Sequence, residues 1–283
     1  MLPLKIVTSI SSMVLKNGLF NASCKKDLST NDHKNRFNMI MYAVCILLFG
    51  IGMIGGTISW FTVLLGVLFG VVTALSNLYT MNALSEGPMH ITLLITTSSM
   101  IIPTMSGVFF GEGFSPYKLI AVVILIGFIY LSLGSGGDKK INKKWFFFVA
   151  LAFLFQGSIG VLQKIHQASE HKAELNCFLF VAFICSLIYS RIRAKKGFKE
   201  LNFGKKQVII AVLCGVCTYA MNILNLHLAG VLPSQVFFPL VNGSSIVLTS
   251  LMSVIVFKER ISKKQLVGLC GGILSLIAIC LLP

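Results

Sequence analysis

Two apolar segments of this sequence carry polar side chains at matching positions, and such side chains can bind a small polar molecule. Thr73 and Asn77 are four residues apart and so lie on one face of a helix, and Thr218 and Asn222 repeat that spacing. Hydroxyl and amide groups form hydrogen bonds without carrying a charge. They contact either a ligand or a neighbouring helix, and the sequence leaves both interpretations open.

Lys16 is the basic residue that the predicted helix boundaries place well inside an apolar segment. A charged side chain in hydrocarbon is costly, so such a residue is a candidate for a functional site. Its ammonium group would bind the anionic group of an anion or of a zwitterion. The alternative is that Lys16, near one end of its helix, extends its side chain to the lipid headgroups.

Further polar residues in apolar segments complete the set of predicted ligand-binding side chains. Each of them either lines a cavity or hydrogen-bonds to a neighbouring helix, and both alternatives stay open. The additional candidates are Thr97, Ser98, Gln156, Tyr219, Asn242 and Ser245.

Four residues are predicted to have structural or gating roles. Glu112 and Glu259 close their helices, and Pro103 and Pro239 lie within helices that a proline can kink because it lacks a backbone N–H group. The sequence places no Asp or Glu in the middle of a span. This disfavours exchange of lipophilic cations for protons, which usually relies on a carboxylate in the membrane.

The sequence predicts no cofactor, no metal site and no catalytic activity. Cys214 and Cys217 form a C-x-x-C pair without a second pair, and His166 and His171 lack the four-residue spacing of a zinc-binding helix. No G-x-x-x-x-G-K-S/T motif for ATP is present. An intramembrane enzyme and a proton-coupled exporter of organic cations or drugs remain the alternative functions.

The elements that carry these residues are membrane-spanning helices. Hydrophobic residues make up 55% of the chain and charged residues only 12%, whereas about a quarter of a soluble domain is charged. The apolar residues form runs near the roughly 20 residues that a helix needs to cross a bilayer. We predict an all-α polytopic membrane protein with ten helices, numbered 1 to 10, at residues 3–22, 38–57, 60–84, 88–110, 117–134, 145–165, 174–191, 207–230, 233–257 and 265–282.

An internal repeat divides the chain into two halves. Residues 67–77 and 212–222 share Val, Leu, Gly, Val, Thr and Asn in register, and residues 105–115 and 252–262 share Met, Ser, Phe, Glu and Ser. The predicted domains are a first five-helix repeat at 1–134, a basic linker at 135–144 and a second five-helix repeat at 145–283. An odd number of helices in each half predicts that the second half is inverted relative to the first.

The distribution of basic residues agrees with this inversion and explains the net charge of +15. The loop after helix 2 carries no Lys or Arg, whereas the equivalent loop after helix 7, residues 191–206, is strongly basic. Because the basic residues lie in short loops between apolar runs, we expect them to orient the protein in a lipid bilayer and not to bind nucleic acid. Their distribution places both termini outside the cytoplasm.

Two short motifs resemble a known family. Gly111-Glu112-Gly113-Phe114-Ser115 and Lys258-Glu259-Arg260-Ile261-Ser262 are similar to the G-E-R-x-S signature of the drug/metabolite transporter superfamily, in particular its EamA-like ten-helix members, although Gly113 stands where Arg is usual. Residues 156–164 resemble that family's opening helix. The resemblance implies a cavity lined by helices 1, 3, 4, 6, 8 and 9, and termini in the cytoplasm, so the orientation stays open.

The function expected from these observations is secondary transport by alternating access. The substrate would be a small polar metabolite, anionic or zwitterionic, such as an amino acid, and the location would be the cytoplasmic membrane. The expected partners are the substrate and the lipid bilayer. The sequence does not distinguish a homodimer from a monomer, import from export, or one coupling ion from another.

Overall fold

The structure is a computed structural model, and its described residues are almost entirely helical. No strand occurs among them, which confirms the predicted all-α fold. The described residues are 2–26, 31–86, 89–113, 115–132, 142–193, 204–257 and 262–282.

Within the described residues the helices form ten successive spans, of which the fourth and the ninth are interrupted. Six helices are long and apolar enough to cross a membrane, and Ile95–Phe110 and Pro116–Leu131 are shorter apolar stretches. The chain is therefore a polytopic helical membrane protein. Its helices are α1 (Leu2–Lys26), α2 (Asn31–Gly52), α3 (Trp60–Glu86), α4 (Met89–Ser98), α5 (Ile101–Ser106) with the 3₁₀ turn Gly107–Phe110, α6 (Pro116–Ser132), α7 (Lys143–Ala168), α8 (Leu175–Arg193), α9 (Lys205–Val231), α10 (Ser234–Phe238) with the π turn Pro239–Gly243, α11 (Ser244–Phe257) and α12 (Lys263–Leu281).

Both interrupted spans contain one of the prolines singled out in the sequence. Pro103 is the third residue of α5, which follows the break at Ser99 and Met100, and it has no N–H group for a bond to the carbonyl of Ser99. Pro239 is the first residue of the π turn between α10 and α11. Each proline therefore coincides with a departure from regular α-helix.

The first of two compact units comprises residues 1–74 and 169–227. In this unit α2 packs against α8 through aromatic rings, with the rings of Phe49 and Phe183 stacked at 5.6 Å. The helix α3 approaches α8 so closely that a Cβ atom on Gly70 would collide with the carbonyl oxygen of Ala182. Glycine at this position therefore permits a helix contact that any larger residue would separate.

The second compact unit comprises residues 75–168 and 228–283. Its apolar core lies between α6 and α12, where Val122, Leu125 and Ile279 are fully buried. At the start of α12, Ser262 forms a capping box with Gln265, which satisfies two backbone N–H groups at the helix end.

Within the second unit, α7 packs closely against both interrupted spans. A Cβ atom on Gly160 would lie 2.7 Å from Cβ of Pro103 and 2.8 Å from Cε1 of Phe238. Real Cβ atoms do not approach that closely, so only glycine fits between these two side chains.

The two compact units do not coincide with the two halves of the sequence. Each unit combines helices from residues 1–134 with helices from residues 145–283. The basic linker at 135–144 lies mostly outside the described residues, since the description resumes at Asn142. The division into two inverted repeats remains a prediction.

Candidate functional site

Lys16 lies in the middle of α1, where it is half-buried in the first unit. The titratable groups around its ammonium are the thiols of Cys45, Cys214 and Cys217. Neutral thiols do not offset a positive charge. No residue in the described part of the chain forms an ion pair or hydrogen bond with Lys16 Nζ. A cation is thus held inside α1 without a counter-ion among the described residues.

On α9, next to Lys16, the candidates Thr218 and Asn222 bond to their own helix. The Thr218 hydroxyl donates to the carbonyl oxygen of Cys214 at 2.7 Å, and Asn222 Nδ2 donates to the carbonyl oxygen of Thr218 at 2.8 Å. The ring of Tyr219 packs at 4.7 Å against that of Phe49. Thr218 is therefore satisfied locally, whereas the side-chain oxygen of Asn222 accepts no hydrogen bond from the described residues.

Thr73 differs from Thr218 in its hydrogen bonding. Its hydroxyl oxygen is buried and has no hydrogen-bond partner among the described residues. A buried hydroxyl without a partner costs about 1–3 kcal/mol, so such groups are rare. Asn77, one turn later on α3, is exposed and has an interaction partner.

Two further polar contacts join α1 to α9 in the first unit. Lys5 Nζ lies 2.8 Å from Nε2 of His227, and the Ser9 hydroxyl donates to the side-chain oxygen of Asn225. The stripe of polar residues on α9 thus continues beyond Asn222 towards the end of the helix. Unlike Lys16, the residues Lys5, Asn225 and His227 have side-chain partners here.

In the second unit, Gln156 on α7 is held by a residue that the sequence analysis did not select. The hydroxyl of Ser76, which is 1% exposed, donates to Oε1 of Gln156 at 2.7 Å. The remaining candidates of this unit lie on other helices than Ser76 and Gln156. Thr97 and Ser98 are half-buried in α4, Asn242 is half-buried in the π turn, and Ser245 is buried and donates to the carbonyl oxygen of Asn242 at 2.8 Å.

A buried ion pair in the second unit joins Lys164 of α7 to Glu112. Lys164 Nζ also donates to the carbonyl oxygens of Ala229 at 2.7 Å and Leu232 at 3.1 Å, and Glu112 Oε2 accepts a bond from the backbone N–H of Ser234 at 2.6 Å. An ammonium has three donors. All three are used here, so the charge of Lys164 is fully neutralised and bonded.

The backbone conformation before Glu112 allows its side chain to reach Lys164. Gly111 adopts φ +73°, a left-handed conformation that favours glycine, and it ends the 3₁₀ turn after α5. A Cβ atom on Gly107 would collide with Oε2 of Glu112. The other predicted structural or gating glutamate, Glu259, lies outside the described residues.

Glu174, directly before α8, anchors the loop that precedes α3. Its Oε2 accepts bonds from the backbone N–H of Ser59 at 3.0 Å and from the Ser59 hydroxyl at 2.7 Å, and His171 Nδ1 lies 3.4 Å from its Oε1. Burial raises the pKa of this carboxyl, but hydrogen bonds from Thr62 and Ser59 and the neighbouring His171 outweigh it and lower the pKa to about 2. The group is a structural carboxylate at neutral pH.

These spans and polar sites lie in a chain whose second half, residues 143–281, matches the model of the EamA-like transporter family. This half of the chain belongs to that family. EamA-like proteins are membrane transporters of the drug and metabolite type, and the chain is a transporter of this broad kind. The matched residues of the EamA-like region contain α7 to α12 and include both Gln156 and Lys164.

A solved structure extends the similarity of the EamA-like protein to nearly the whole chain. It is titled "Crystal structure of protein", shares 11% sequence identity and has a TM-score of 0.77, with 99% of this chain and 97% of that chain covered. At this identity the similarity establishes the fold alone. No curated protein matches the sequence.

Two polar residues of the second unit, Lys164 and Ser76, are not among the residues selected from the sequence. The predicted helix 6 ends at residue 165, which places Lys164 at its end, whereas α7 of the EamA-like protein continues to Ala168 and buries it. The sequence did offer one indication of a role for Lys164: helices 1 and 6, which open the two predicted halves, each contain a lysine. Ser76 gave no signal, because small polar residues are common in membrane helices.

Proposed function

We propose that this EamA-like protein is a secondary transporter that moves a small anionic or zwitterionic metabolite, such as an amino acid, across the cytoplasmic membrane by alternating access. In this proposal the protein is not an enzyme, and the solute crosses without chemical change. Lys16 binds the anionic group of the substrate, and Thr73, Tyr219 and Asn222 contribute to the same function in the first unit.

The observation that carries the proposal is the unpaired ammonium of Lys16. Desolvating an ammonium costs several kcal/mol unless other charges or hydrogen bonds compensate. Among the described residues nothing compensates for Lys16 Nζ. A carboxylate or phosphate of a substrate would provide the missing partner through a short, charge-assisted hydrogen bond. The side chain is half-buried and not fully enclosed, which leaves room for that contact.

The state of Thr73 supports a ligand in the same unit. Its buried hydroxyl has no partner in the described part of the chain, although a threonine in a helix can bond to its own backbone, as Thr218 does. A substrate oxygen or nitrogen would satisfy this hydroxyl. Two unsatisfied groups of different chemistry, a cation and a hydroxyl, suit a polar organic anion or zwitterion better than an apolar drug.

The proposal is tested by thermal stabilisation of the purified protein with L-amino acids, dicarboxylates, phosphorylated metabolites, sugars, nucleobases and organic cations. We expect only compounds that carry a carboxylate or phosphate to raise the unfolding temperature, and Lys16→Met to abolish their effect. Lys5→Met is the matched control, because it removes a charge from the same helix at a residue already paired with His227. Stabilisation by cations alone, or an unchanged response of Lys16→Met, would overturn the proposal.

A further inference from the structure

Gln156 is exposed on a face of α7 that does not face lipid. The apolar side chains of Phe147 and Leu154 are 56% and 53% exposed and, seven residues apart, lie on one side of the helix. Gln156 follows Leu154 by two residues and therefore lies about 200° around the helix from it. α7 thus has two exposed sides, one apolar and one polar.

The position of Gly160 identifies the polar side as internal. Gly160 is one turn from Gln156 on the same face, and it is buried against Pro103 and Phe238. An exposed amide on this face lies inside the second unit and not against hydrocarbon, where its unsatisfied groups would cost several kcal/mol. Because Gln156 is exposed, it faces an internal space that water or a solute can enter.

Ser76 fixes which end of the Gln156 amide faces that space. Because the Ser76 hydroxyl donates to Oε1, the two N–H groups on Nε2 point to partners elsewhere. No described residue accepts a bond from Nε2. The side chain is therefore a held, uncharged donor with two hydrogens available.

The surroundings of this donor favour an uncharged acceptor. Phe155, next to Gln156, stacks on Tyr79, which lies one turn from Ser76, with ring centroids 5.7 Å apart and planes at 11°. The charge of Lys164 is about 12 Å further along α7 and is neutralised by Glu112. Beside aromatic rings and a lysine that is already neutralised, a carboxylate would lose more hydration energy than a carbonyl or hydroxyl.

We propose that Gln156 is a specificity-determining residue that donates hydrogen bonds to an uncharged oxygen of the transported solute, a carbonyl or a hydroxyl. Ser76 is a positioning residue that orients the amide. This inference rests on the proposed transport function and names an uncharged oxygen as a chemical group of the substrate.

The first experiment measures access to residue 156 without any substrate. Gln156→Cys and Leu154→Cys are treated with a charged, membrane-impermeant methanethiosulfonate in lipid vesicles, and mass spectrometry locates the label, so the native cysteines can remain. We expect labelling of residue 156 and none of residue 154. Labelling of both positions, or of neither, overturns the assignment of an internal polar face.

The second experiment measures specificity with nearly isosteric probes, L-asparagine against L-leucine and L-threonine against L-valine. In thermal-shift titrations we expect the parent to bind the first member of each pair about tenfold more tightly, which corresponds to one hydrogen bond. Gln156→Leu removes the preference, and Ser76→Ala reduces it.

The outcomes separate this inference from the proposed function. If Lys16→Met abolishes binding of both members while Gln156→Leu leaves their ratio unchanged, the anion assignment stands and the present inference fails. If Gln156→Leu changes the ratio while Lys16→Met binds both members like the parent, the present inference stands and the anion assignment fails. A parent that binds no acceptor-bearing probe, or binds both members equally, also overturns the inference.

Discussion

Lys164 and Lys16 lie inside helices that open the two predicted halves of the chain, yet their surroundings differ. Lys164, in the second unit, has a carboxylate and two carbonyl oxygens for its three donors. Lys16, in the first unit, has three thiols nearby and no hydrogen-bond or ion-pair partner among the described residues. A charge in a membrane helix is thus stabilised within the fold in one case and left available in the other.

This difference separates a structural charge from a candidate binding charge. A buried ion pair adds little net stability over apolar residues of equal size, but removing one partner is costly because the other stays buried and charged. Lys164 should therefore behave as a residue that the fold depends on. Lys16 should behave as a residue that the fold tolerates and the solute requires.

The most direct test of this difference is to replace each lysine by methionine. Lys164→Met leaves Glu112 without its counter-ion, and we expect a loss of about 3–5 kcal/mol in the free energy of unfolding. Lys16→Met removes an uncompensated charge and should change stability by less than about 1 kcal/mol, or raise it. Thermal denaturation of the purified variants in detergent measures both changes in stability.

The double variant Glu112→Gln, Lys164→Met is the control for this pair. Because it removes both charges, it should recover much of the stability lost in Lys164→Met. A Lys16→Met variant as unstable as Lys164→Met would contradict the contrast between the two lysines.

A smaller effect is expected at Glu174, which lies directly before α8 in the first unit. Unlike Lys16, its charge has hydrogen-bond partners. Glu174→Gln should lower stability at pH 7 by about 1.5–3 kcal/mol, because it weakens hydrogen bonds to a charged group. The folded pKa of about 2 lies below the usual 4.5. The stabilisation is therefore complete above about pH 4.5 and is lost as the pH falls towards 2.

Thermal unfolding between pH 2.5 and 7 checks this linkage. The parent should lose stability on acidification more steeply than Glu174→Gln. Glu170→Gln, an exposed glutamate in the same connection, is the matched control and should follow the parent. Parallel curves for the parent and Glu174→Gln would show that the carboxylate does not contribute.

The smallest expected change in stability concerns two threonines of the first unit, Thr73 and Thr218. Thr73→Val removes a buried hydroxyl that has no partner among the described residues, so stability should rise or change by less than about 0.5 kcal/mol. Thr218→Val removes a hydroxyl that bonds to Cys214 and should cost about 1 kcal/mol. If Thr73 contacts the solute, its variant keeps stability and loses affinity. Equal destabilisation by the two changes would indicate that Thr73 has a structural partner.

Much of the fold could be predicted from the sequence because the bilayer constrains it strongly. Long apolar runs indicated ten spans, and the described helices form ten. The prolines indicated where regular helix would end, since a missing N–H group is a local property. Boundaries were less accurate: the second span begins at Asn31 and not at 38, because polar residues at a membrane surface remain helical, and it ends at Gly52 and not at 57.

The polar sites were less predictable because their character depends on distant residues. Lys164 becomes structural only through Glu112, more than fifty positions earlier in the chain, and no local pattern indicates that contact. Gln156 was identified as a polar residue in a span, but its orientation follows from Ser76. The assignment of Lys16 as a binding residue remains a prediction, as does the role of Glu259, which lies outside the described residues.

The glycine at position 160 has a mechanical consequence for α7. Gln156, Gly160 and Lys164 follow one another at intervals of one turn, and Gly160 rests directly on Pro103 and Phe238, one from each interrupted span. Bending of either span at its proline would press on α7 at Gly160. Because Gln156 and Lys164 lie one turn to either side, such a displacement would shift the donor amide and the charge-paired lysine together, through a residue that has no side chain.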